Sequence, residues 1–180
     1  MRGVLRFAPL ILLLGATDAA PMLAPRSAQP LTLPDIAMIR VRKAARIMEL
    51  YASEGAGLRL VHRIENIQLG DEPVGPKRFE GDERTPEGRY VIDWGNPGSA
   101  YHLSLHISYP NAADRAFAEA RGRSAGGMIM IHGQPNGWAA TAGASRVPGD
   151  WTDGCIAVSD DEIEALWEGV ADGTPIEIEP

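Results

Sequence analysis

The chain has 180 residues, a formal net charge of −7 and 44% hydrophobic residues. This length and apolar content suffice for one folded domain, and the acidic balance argues against nucleic acid as a partner. Because Cys155 is the only cysteine, the chain cannot form an internal disulfide, and its stability must come from the core.

The first residues have the layout of a secretory signal peptide. Arg2 and Arg6 precede an apolar run over residues 7–14, and small residues follow it. The apolar run is shorter than a membrane-spanning helix requires. We therefore predict a signal peptide over residues 1–19 and an exported protein of the periplasm or cell envelope, with an uncleaved membrane anchor as the alternative.

The next segment differs in composition from the rest of the chain. Residues 20–35 contain four prolines among Ala, Ser, Gln and Leu, which is typical of an extended linker. Regular hydrophobic patterns begin only after it. We therefore predict a single folded domain over residues 36–180.

Most periodic segments of that domain alternate with period two, which predicts strands. Helix is the competing interpretation of residues 44–51, because Ala44 and Ala45 favour it. Long loops are predicted over residues 70–88 and 134–150. The predicted strands are 38–42, 46–51, 58–64, 90–94, 101–108, 128–131, 156–158 and 175–178, and the predicted short helices are 114–123 and one that begins with a capping box at Ser159. We predict a mainly β single domain, a sandwich or partly closed barrel with two short helices.

Two groups of residues raise the question of a metal site. The first is the acidic set Glu80, Asp82, Glu83 and Glu87, but a charged run is more often a solvated surface. The second is the pair His102 and His106, which share one face of a strand with Ser104 and Ser108. Four residues of strand span about 13 Å, too far for two histidines to bind one ion. We predict no metal and no cofactor.

His132 and Cys155 stand at the two ends of the long loop 134–150. His132 ends one predicted strand, and Cys155 directly precedes another. A thiol becomes a strong nucleophile only as a thiolate, so a nearby imidazole that accepts its proton is what this chemistry requires. A lone cysteine is often an inert buried residue, but the polar turn Thr152-Asp153-Gly154 before Cys155 favours an exposed, functional thiol.

These residues resemble the active-site signature of the YkuD-type L,D-transpeptidases. In that family a histidine followed by glycine, a glycine-rich loop and a Ser/Thr-x-Gly-Cys turn carry the nucleophile, as His132-Gly133 and Thr152-Asp153-Gly154-Cys155 do here. The resemblance covers roughly residues 36–180. Further similar segments are Gly75-Pro76-Lys77, Glu80-Gly81-Asp82, Thr85-Pro86-Glu87-Gly88, Tyr109-Pro110-Asn111 and Asp172-Gly173-Thr174-Pro175-Ile176.

The resemblance implies a mainly β catalytic domain in which Cys155 forms an acyl-enzyme with His132 as base. It also implies that the backbone carbonyl of Gly133 orients the imidazole. The backbone N–H groups of Gly154 and Cys155 in the tight turn are the expected oxyanion donors. The implied substrate is the peptide stem of peptidoglycan, and we expect a monomer.

Three further residues are candidates for substrate binding. By resemblance, His106 is preferred over His102 as a residue that lines the substrate groove. Thr152 and Asp153 are expected to shape the turn before Cys155, with substrate contact as their second role.

One departure from the family signature keeps the reaction type open. An Arg or Asn commonly stands two residues after the cysteine and helps to hold the substrate, whereas this chain has Ala157. In this respect the chain looks closer to the YafK-like subgroup, which includes a hydrolase that releases a lipoprotein linked to peptidoglycan. We therefore expect a transpeptidase. A hydrolase or amidase is the alternative, and a catalytically inactive wall-binding domain is a further one.

Overall fold

The computed structural model describes residues 30–180. The predicted signal peptide, 1–19, and residues 20–29 of the predicted linker lie outside the described residues. Residues 30–36 contain no helix or strand. Within the described part, no helix is both long and apolar enough to cross a membrane.

Eight strands and three short helices make up the described chain. The strands are β1 (Met38–Arg42), β2 (Ile47–Glu54), β3 (Gly57–Glu65), β4 (Gly88–Asn96), β5 (Ser104–Ile107), β6 (Met130–His132), β7 (Ile156–Ala157) and β8 (Pro175–Glu179), and the helices are α1 (Ala112–Glu119), α2 (Trp138–Ala142) and α3 (Asp160–Gly169).

All eight strands belong to one sheet, in the order β3-β2-β1-β8-β4-β5-β6-β7. Neighbouring strands are antiparallel except for the pairs β1–β8 and β6–β7, which are parallel. The sheet curls until its two edges approach each other. Gln68, three residues after β3, pairs with Ala157 of β7, and Gly70 pairs with Thr152. The prediction of a mainly β, partly closed barrel is confirmed.

The start of the sheet shows why residues 44–51 form a turn followed by strand and not a helix. Arg46 has φ +55°, a left-handed conformation that ends any helical run, and its N–H donates to the carbonyl of Lys43 to close a turn. Beyond the turn, Met48 and Leu50 are fully buried opposite Val41 and Ile39. Burial of these apolar side chains selects the strand pairing.

The enclosed face of the sheet forms the core together with α3. Strand residues Ile39, Ile92 and Ile107 are completely buried there, as are Ile163 and Leu166 of α3. These two residues belong to the apolar face of α3, which packs against the sheet. Its capping box is also present, because Ser159 accepts from the N–H of Glu162 while the Glu162 carboxylate accepts from the N–H of Ser159.

Two predictions about local structure need correction. The strand predicted over 101–108 begins only at Ser104, because His102 has φ +67° and turns the chain. The segment 134–150, predicted as a loop throughout, contains the third helix, α2, which begins after Gly137 and ends before Gly143. Both glycines adopt left-handed conformations that confine the helix to five residues.

Candidate active site

The parallel pair β6–β7 brings His132 and Cys155 together. Ile131 pairs with Ile156, so Cys155 lies one residue before that pair and His132 one residue after it. Strand spacing and rise place the two Cα atoms about 8 Å apart, with both side chains on the same face of the sheet. The twenty-two residues between them in sequence thus form the connection between two neighbouring strands.

Both side chains line one cavity of about 650 Å³. Its other walls come from the loop after β3, the segment before β6 and the turn before β7. The remaining lining residues are Lys77, Glu80, Gly81, Glu83, Tyr101, Gly126, Gly127, Met128, Ile129, Trp151, Thr152 and Asp153.

The orientation of the His132 ring is set by its neighbour. Nδ1 of His132 lies 2.7 Å from the carbonyl oxygen of Gly133. A carbonyl only accepts, so Nδ1 carries the proton and Nε2 has the free lone pair. The imidazole is therefore held in the tautomer that can accept a proton at Nε2.

Gly133 is itself held in place by backbone hydrogen bonds and by close packing against Asp160. Its N–H donates to the carbonyls of Tyr101, at 3.0 Å, and Leu103, at 3.3 Å. A Cβ at this position would lie 2.6 Å from a carboxylate oxygen of Asp160, so no larger residue fits without rearrangement. The carbonyl that orients His132 is thus fixed by the surrounding backbone.

Two aromatic side chains enclose the imidazole. The ring of Tyr101 lies 4.6 Å from that of His132, and the ring of Trp151 lies 5.6 Å from it. His132 is only 3% exposed. Burial lowers the pKa of His132 below its ordinary value, although the hydrogen bond to Gly133 opposes part of this effect. The imidazole is therefore neutral at neutral pH, as a base must be.

The Cys155 thiol lies between two backbone groups of the strand-β6 segment. Its Sγ accepts from the N–H of Met130 at 3.4 Å and donates to the carbonyl of Met128 at 3.6 Å. Burial raises the pKa of Cys155, and the negative charge of Asp153 adds to this effect. The Met130 N–H and the positive charge of Lys77 act in the opposite direction. The resting side chain is a thiol.

The turn before Cys155 is closed by Thr152. Its hydroxyl donates to the carbonyl of Cys155 at 2.7 Å and accepts from the N–H of Gly154 at 3.2 Å. Thr152 thus closes the turn through its hydroxyl, and both Thr152 and Asp153 line the cavity. The Gly154 N–H, predicted as an oxyanion donor, is already engaged by Thr152. The N–H of Cys155 has no acceptor among residues 30–180.

The acidic loop 70–88 contains ion pairs. Asp82 accepts from the Lys77 ammonium at 2.9 Å and from the backbone N–H groups of Arg78 and Phe79. Glu87 accepts from the buried ammonium of Lys43 at 2.9 Å. In the described chain, no three His, Cys, Asp or Glu side chains are grouped so that they could hold a metal ion.

His106 is not among the residues that line the cavity. Its Nδ1 lies 2.6 Å from a carboxylate oxygen of Asp93, and its ring stacks on that of Trp94 at 4.8 Å. It lies opposite Met130 on strand β5, one strand further from Cys155. His102 also contacts a carboxylate, that of Glu164, at 2.7 Å.

Sequence reasoning missed three residues of the site: Lys77, Tyr101 and Trp151. Lys77 and Tyr101 lie far from His132 and Cys155 in sequence. Trp151 lies near Cys155, but a tryptophan does not by itself indicate a functional role. Signals were available for Trp151, which stands four residues before the cysteine, and for Lys77, which lies in the Gly75-Pro76-Lys77 segment that resembles the family. Tyr101 reaches the cavity through long-range packing, which no local pattern reports.

The model of a known protein family matches most of the described chain. The family model of the YkuD L,D-transpeptidase catalytic domain matches residues 37–178. The protein YafK of Escherichia coli (strain K12) is 32% identical over 97 residues, which are 53% of this chain and 37% of YafK.

Solved structures show the same fold. The helical cell shape determining protein Pgp2 of Campylobacter jejuni superposes with a TM-score of 0.64 at 28% identity, over 85% of this chain and 52% of Pgp2. Bd1075 of Bdellovibrio bacteriovorus has a TM-score of 0.56 at 24% identity, over 80% of this chain and 48% of Bd1075. The chain thus spans about half the length of these structures or less, and about a third of YafK.

Proposed function

Because this chain belongs to the YkuD L,D-transpeptidase catalytic-domain family, whose members act on peptidoglycan, we propose that it is a cysteine acyltransferase of peptidoglycan stem peptides. Cys155 is the nucleophile and His132 the base. The observation that carries the proposal is the shared cavity, into which the only thiol and a neutral, correctly oriented imidazole both project.

The reaction begins with a proton transfer within the cavity. The Cys155 thiol turns from the carbonyl of Met128 to His132, and its proton passes to Nε2. The thiolate attacks a peptide carbonyl, a C–S bond forms, and His132 returns the proton to the leaving amine as the C–N bond breaks. An incoming amine or water then attacks the thioester and restores the free thiol.

The backbone of the turn supplies charge stabilisation. The Cys155 N–H, which has no acceptor among the described residues, is the first donor for the oxyanion. The Gly154 N–H becomes a second donor if it exchanges the 3.2 Å contact with Thr152 for the substrate oxygen. Removal of one such donor typically costs about two orders of magnitude in turnover.

Hydrolysis is a second candidate reaction, and Ala157 is the observation that favours it. Ala157 is fully buried and bonds through its backbone to Gln68, so it offers the cavity no cationic or amide group. The loss of such a donor removes about 1–3 kcal/mol of substrate positioning. An acceptor amine held less firmly competes poorly with water.

The location and partners of the protein follow the same reasoning. We propose that residues 1–19 direct export and that residues 20–35 tether the catalytic domain, residues 36–180, in the periplasm or cell envelope. The domain acts there as a monomer on stem peptides, and a peptidoglycan-linked lipoprotein is a candidate substrate for the hydrolytic reaction.

The nucleophile is tested by mass spectrometry of the intact protein after treatment with a carbapenem. We expect a single adduct on Cys155, and no adduct in the Cys155→Ala variant. An unmodified wild-type protein that nevertheless melts cooperatively would contradict the acyl-enzyme and favour the catalytically inactive wall-binding domain.

The acyl acceptor is identified from reaction products. Purified muropeptides and lipoprotein-linked peptidoglycan are incubated with the enzyme, with and without excess acceptor amine, and the products are identified by mass spectrometry. New crosslinks support the transferase. Freed stems or freed lipoprotein alone, even with excess amine, eliminate the transferase in favour of the hydrolase.

A further inference from the structure

Lys77 is a buried lysine that lines the catalytic cavity. Its side chain is almost fully buried, with 3% of the residue exposed. Its ammonium donates to Asp82 at 2.9 Å and approaches the carbonyl of Asp153 at 3.5 Å. Asp153 belongs to the turn that carries Cys155. Lys77 therefore connects the loop before β4 to the nucleophile.

The loop that contains Lys77 is anchored by Asp82. The carboxylate of Asp82 also accepts from the N–H groups of Arg78, Phe79 and Arg84. Burial opposes the ionisation of Asp82, but these donors and Lys77 together hold its pKa below the ordinary value. The Asp82 carboxylate is consequently ionised throughout the neutral range and holds the Lys77 side chain in one position.

The same loop packs closely on the turn of the nucleophile. A Cβ at Gly154 would lie 2.4 Å from the carbonyl oxygen of Arg84, and a Cβ at Gly70 would lie 3.2 Å from the Cα of Gly154. Backbone-to-backbone contact of this kind holds the loop firmly against the turn. The position of the Lys77 ammonium relative to Cys155 is therefore fixed by the packing of the loop, and its positive charge lowers the pKa of Cys155.

Lys77 is the only residue with a permanent positive charge among the described residues that line the cavity. The other charged groups there are Glu80, Glu83 and Asp153, all of which disfavour a thiolate. His132 is neutral until it receives the thiol proton. Lys77 is therefore the one positive charge on the cavity wall that is already in place before the thiol proton moves to His132.

We propose that Lys77 is an electrostatic positioning residue for Cys155: fixed by Asp82, its ammonium stabilises the thiolate and holds the Asp153 carbonyl at the start of the turn. The inference rests on the proposed function, in which the thiolate is the attacking species. Lys77 exchanges no proton in the reaction. The thiol proton passes to His132, and Lys77 stays charged throughout.

The test is the rate at which iodoacetamide alkylates Cys155, measured against pH by intact-protein mass. Because the chain has one cysteine, the adduct reports on this thiol alone. The Lys77→Met variant loses the charge, so the inflection of the profile should rise by about one pH unit, with about tenfold slower alkylation at neutral pH. Lys77→Arg retains the charge and should stay within about threefold of the wild type.

Lys43→Met is the matched control. Lys43 is equally buried, at 2% exposed, and its ammonium also binds a carboxylate, that of Glu87, and two backbone carbonyls. Lys43 does not line the catalytic cavity. Its loss should leave the alkylation profile of Cys155 unchanged, whatever it does to the melting temperature.

The sign of the effect separates an electrostatic role from a merely structural one. A loosened cavity would expose the thiol, lower its pKa towards the ordinary value and accelerate alkylation. Faster or unchanged alkylation in a folded Lys77→Met variant overturns the inference. Failure of both Lys77→Met and Lys77→Gln to melt cooperatively, while Lys43→Met folds, also overturns it, because Lys77 is then required for folding.

The outcome is independent of the wider proposal. If the wild-type protein is alkylated but never acylated by a carbapenem or a stem peptide, the proposed function fails and the comparison of alkylation rates still stands. If it is acylated and Lys77→Met alkylates like the wild type, only the role of Lys77 fails.

Discussion

At the scale of single residues, burial acts in opposite directions on the two reacting groups. It lowers the pKa of His132 and raises that of Cys155, so both favour their neutral forms. The site without substrate is therefore a neutral thiol and a neutral imidazole. The Met130 N–H and the positive charge of Lys77 act against burial and favour ionisation of the thiol.

The rate of Cys155 acylation should fall at acid pH because His132 becomes protonated. Only the neutral imidazole accepts the thiol proton, and its lowered pKa keeps it neutral to a pH below the ordinary value of about 6.5. Acylation of Cys155 should therefore stay constant as pH falls through 6.5 and decline only below it. Stopped-flow or quenched measurements of adduct formation give the midpoint. A midpoint at or above about 6.5 contradicts the assigned environment of His132.

Substitution of the two catalytic candidates should have different structural costs. Cys155→Ala removes one half-buried sulfur and should abolish turnover with a stability loss of about 1 kcal/mol or less. His132→Ala should also abolish turnover, but it leaves a cavity between Tyr101 and Trp151 and should cost about 2–3 kcal/mol. Thermal melting beside product assays separates the two. Turnover near the wild-type rate in either variant excludes the proposed dyad.

At the scale of elements, the turn from Thr152 to Cys155 determines how the nucleophile is presented. Gly154 has φ +125°, which side-chain-bearing residues rarely adopt, and the backbone of Arg84 lies against its Cα. Thr152 closes the turn with two hydrogen bonds. Because Gly154 has no side chain, its backbone can adopt this left-handed conformation. For the same reason the neighbouring loop can approach its Cα closely.

Gly154→Ala should disable the site by displacing the loop or the turn. The added Cβ would lie 2.4 Å from the Arg84 carbonyl, so we expect a stability loss above about 2 kcal/mol and little adduct on Cys155. Gly122→Ala is the control, since Gly122 has φ +66° but open space around its Cα. It should cost about 1 kcal/mol and leave acylation intact. Equal effects of the two variants would refute the packing argument.

At the scale of the whole molecule, two buried glutamines join the curled ends of the sheet. Gln134 donates to the carbonyl of Val158 at 2.6 Å and to the side chain of Gln68 at 3.1 Å, and it accepts from the N–H of Val147. Gln68 donates to the carbonyls of Val147 and Gly149. These side-chain amides hold the connection between β6 and β7 against both edges of the sheet.

Gln134→Ala should loosen the connection between β6 and β7 without displacing the two strands themselves. It leaves the carbonyl of Val158 and the N–H of Val147 without their partners, at a cost of about 2–4 kcal/mol. We expect a lower melting temperature and faster proteolysis within residues 138–150. Thr141→Ala, an exposed substitution in α2, is the control and should change neither. Unchanged proteolysis in Gln134→Ala contradicts the anchoring role.

Local patterns in the sequence predict most of the strands, the capping box at Ser159 and the two residues of the reactive pair. These features depend on neighbours in sequence. Alternating burial follows from the two-residue period of a strand, and a capping box needs only residues three apart. The resemblance of His132-Gly133 and Thr152-Asp153-Gly154-Cys155 to a known signature added the family, because the signature is itself a local motif.

Only the tertiary structure decides which distant groups share the cavity with that pair. Lys77 and Tyr101 reach His132 and Cys155 because the sheet curls and the loops pack across it, and pairings of that range leave no periodic trace in the sequence. The His106 side chain, expected at the groove, instead pairs with Asp93 one strand away. The degree of burial, which sets the direction of both catalytic pKa shifts, likewise exists only once all the elements have packed.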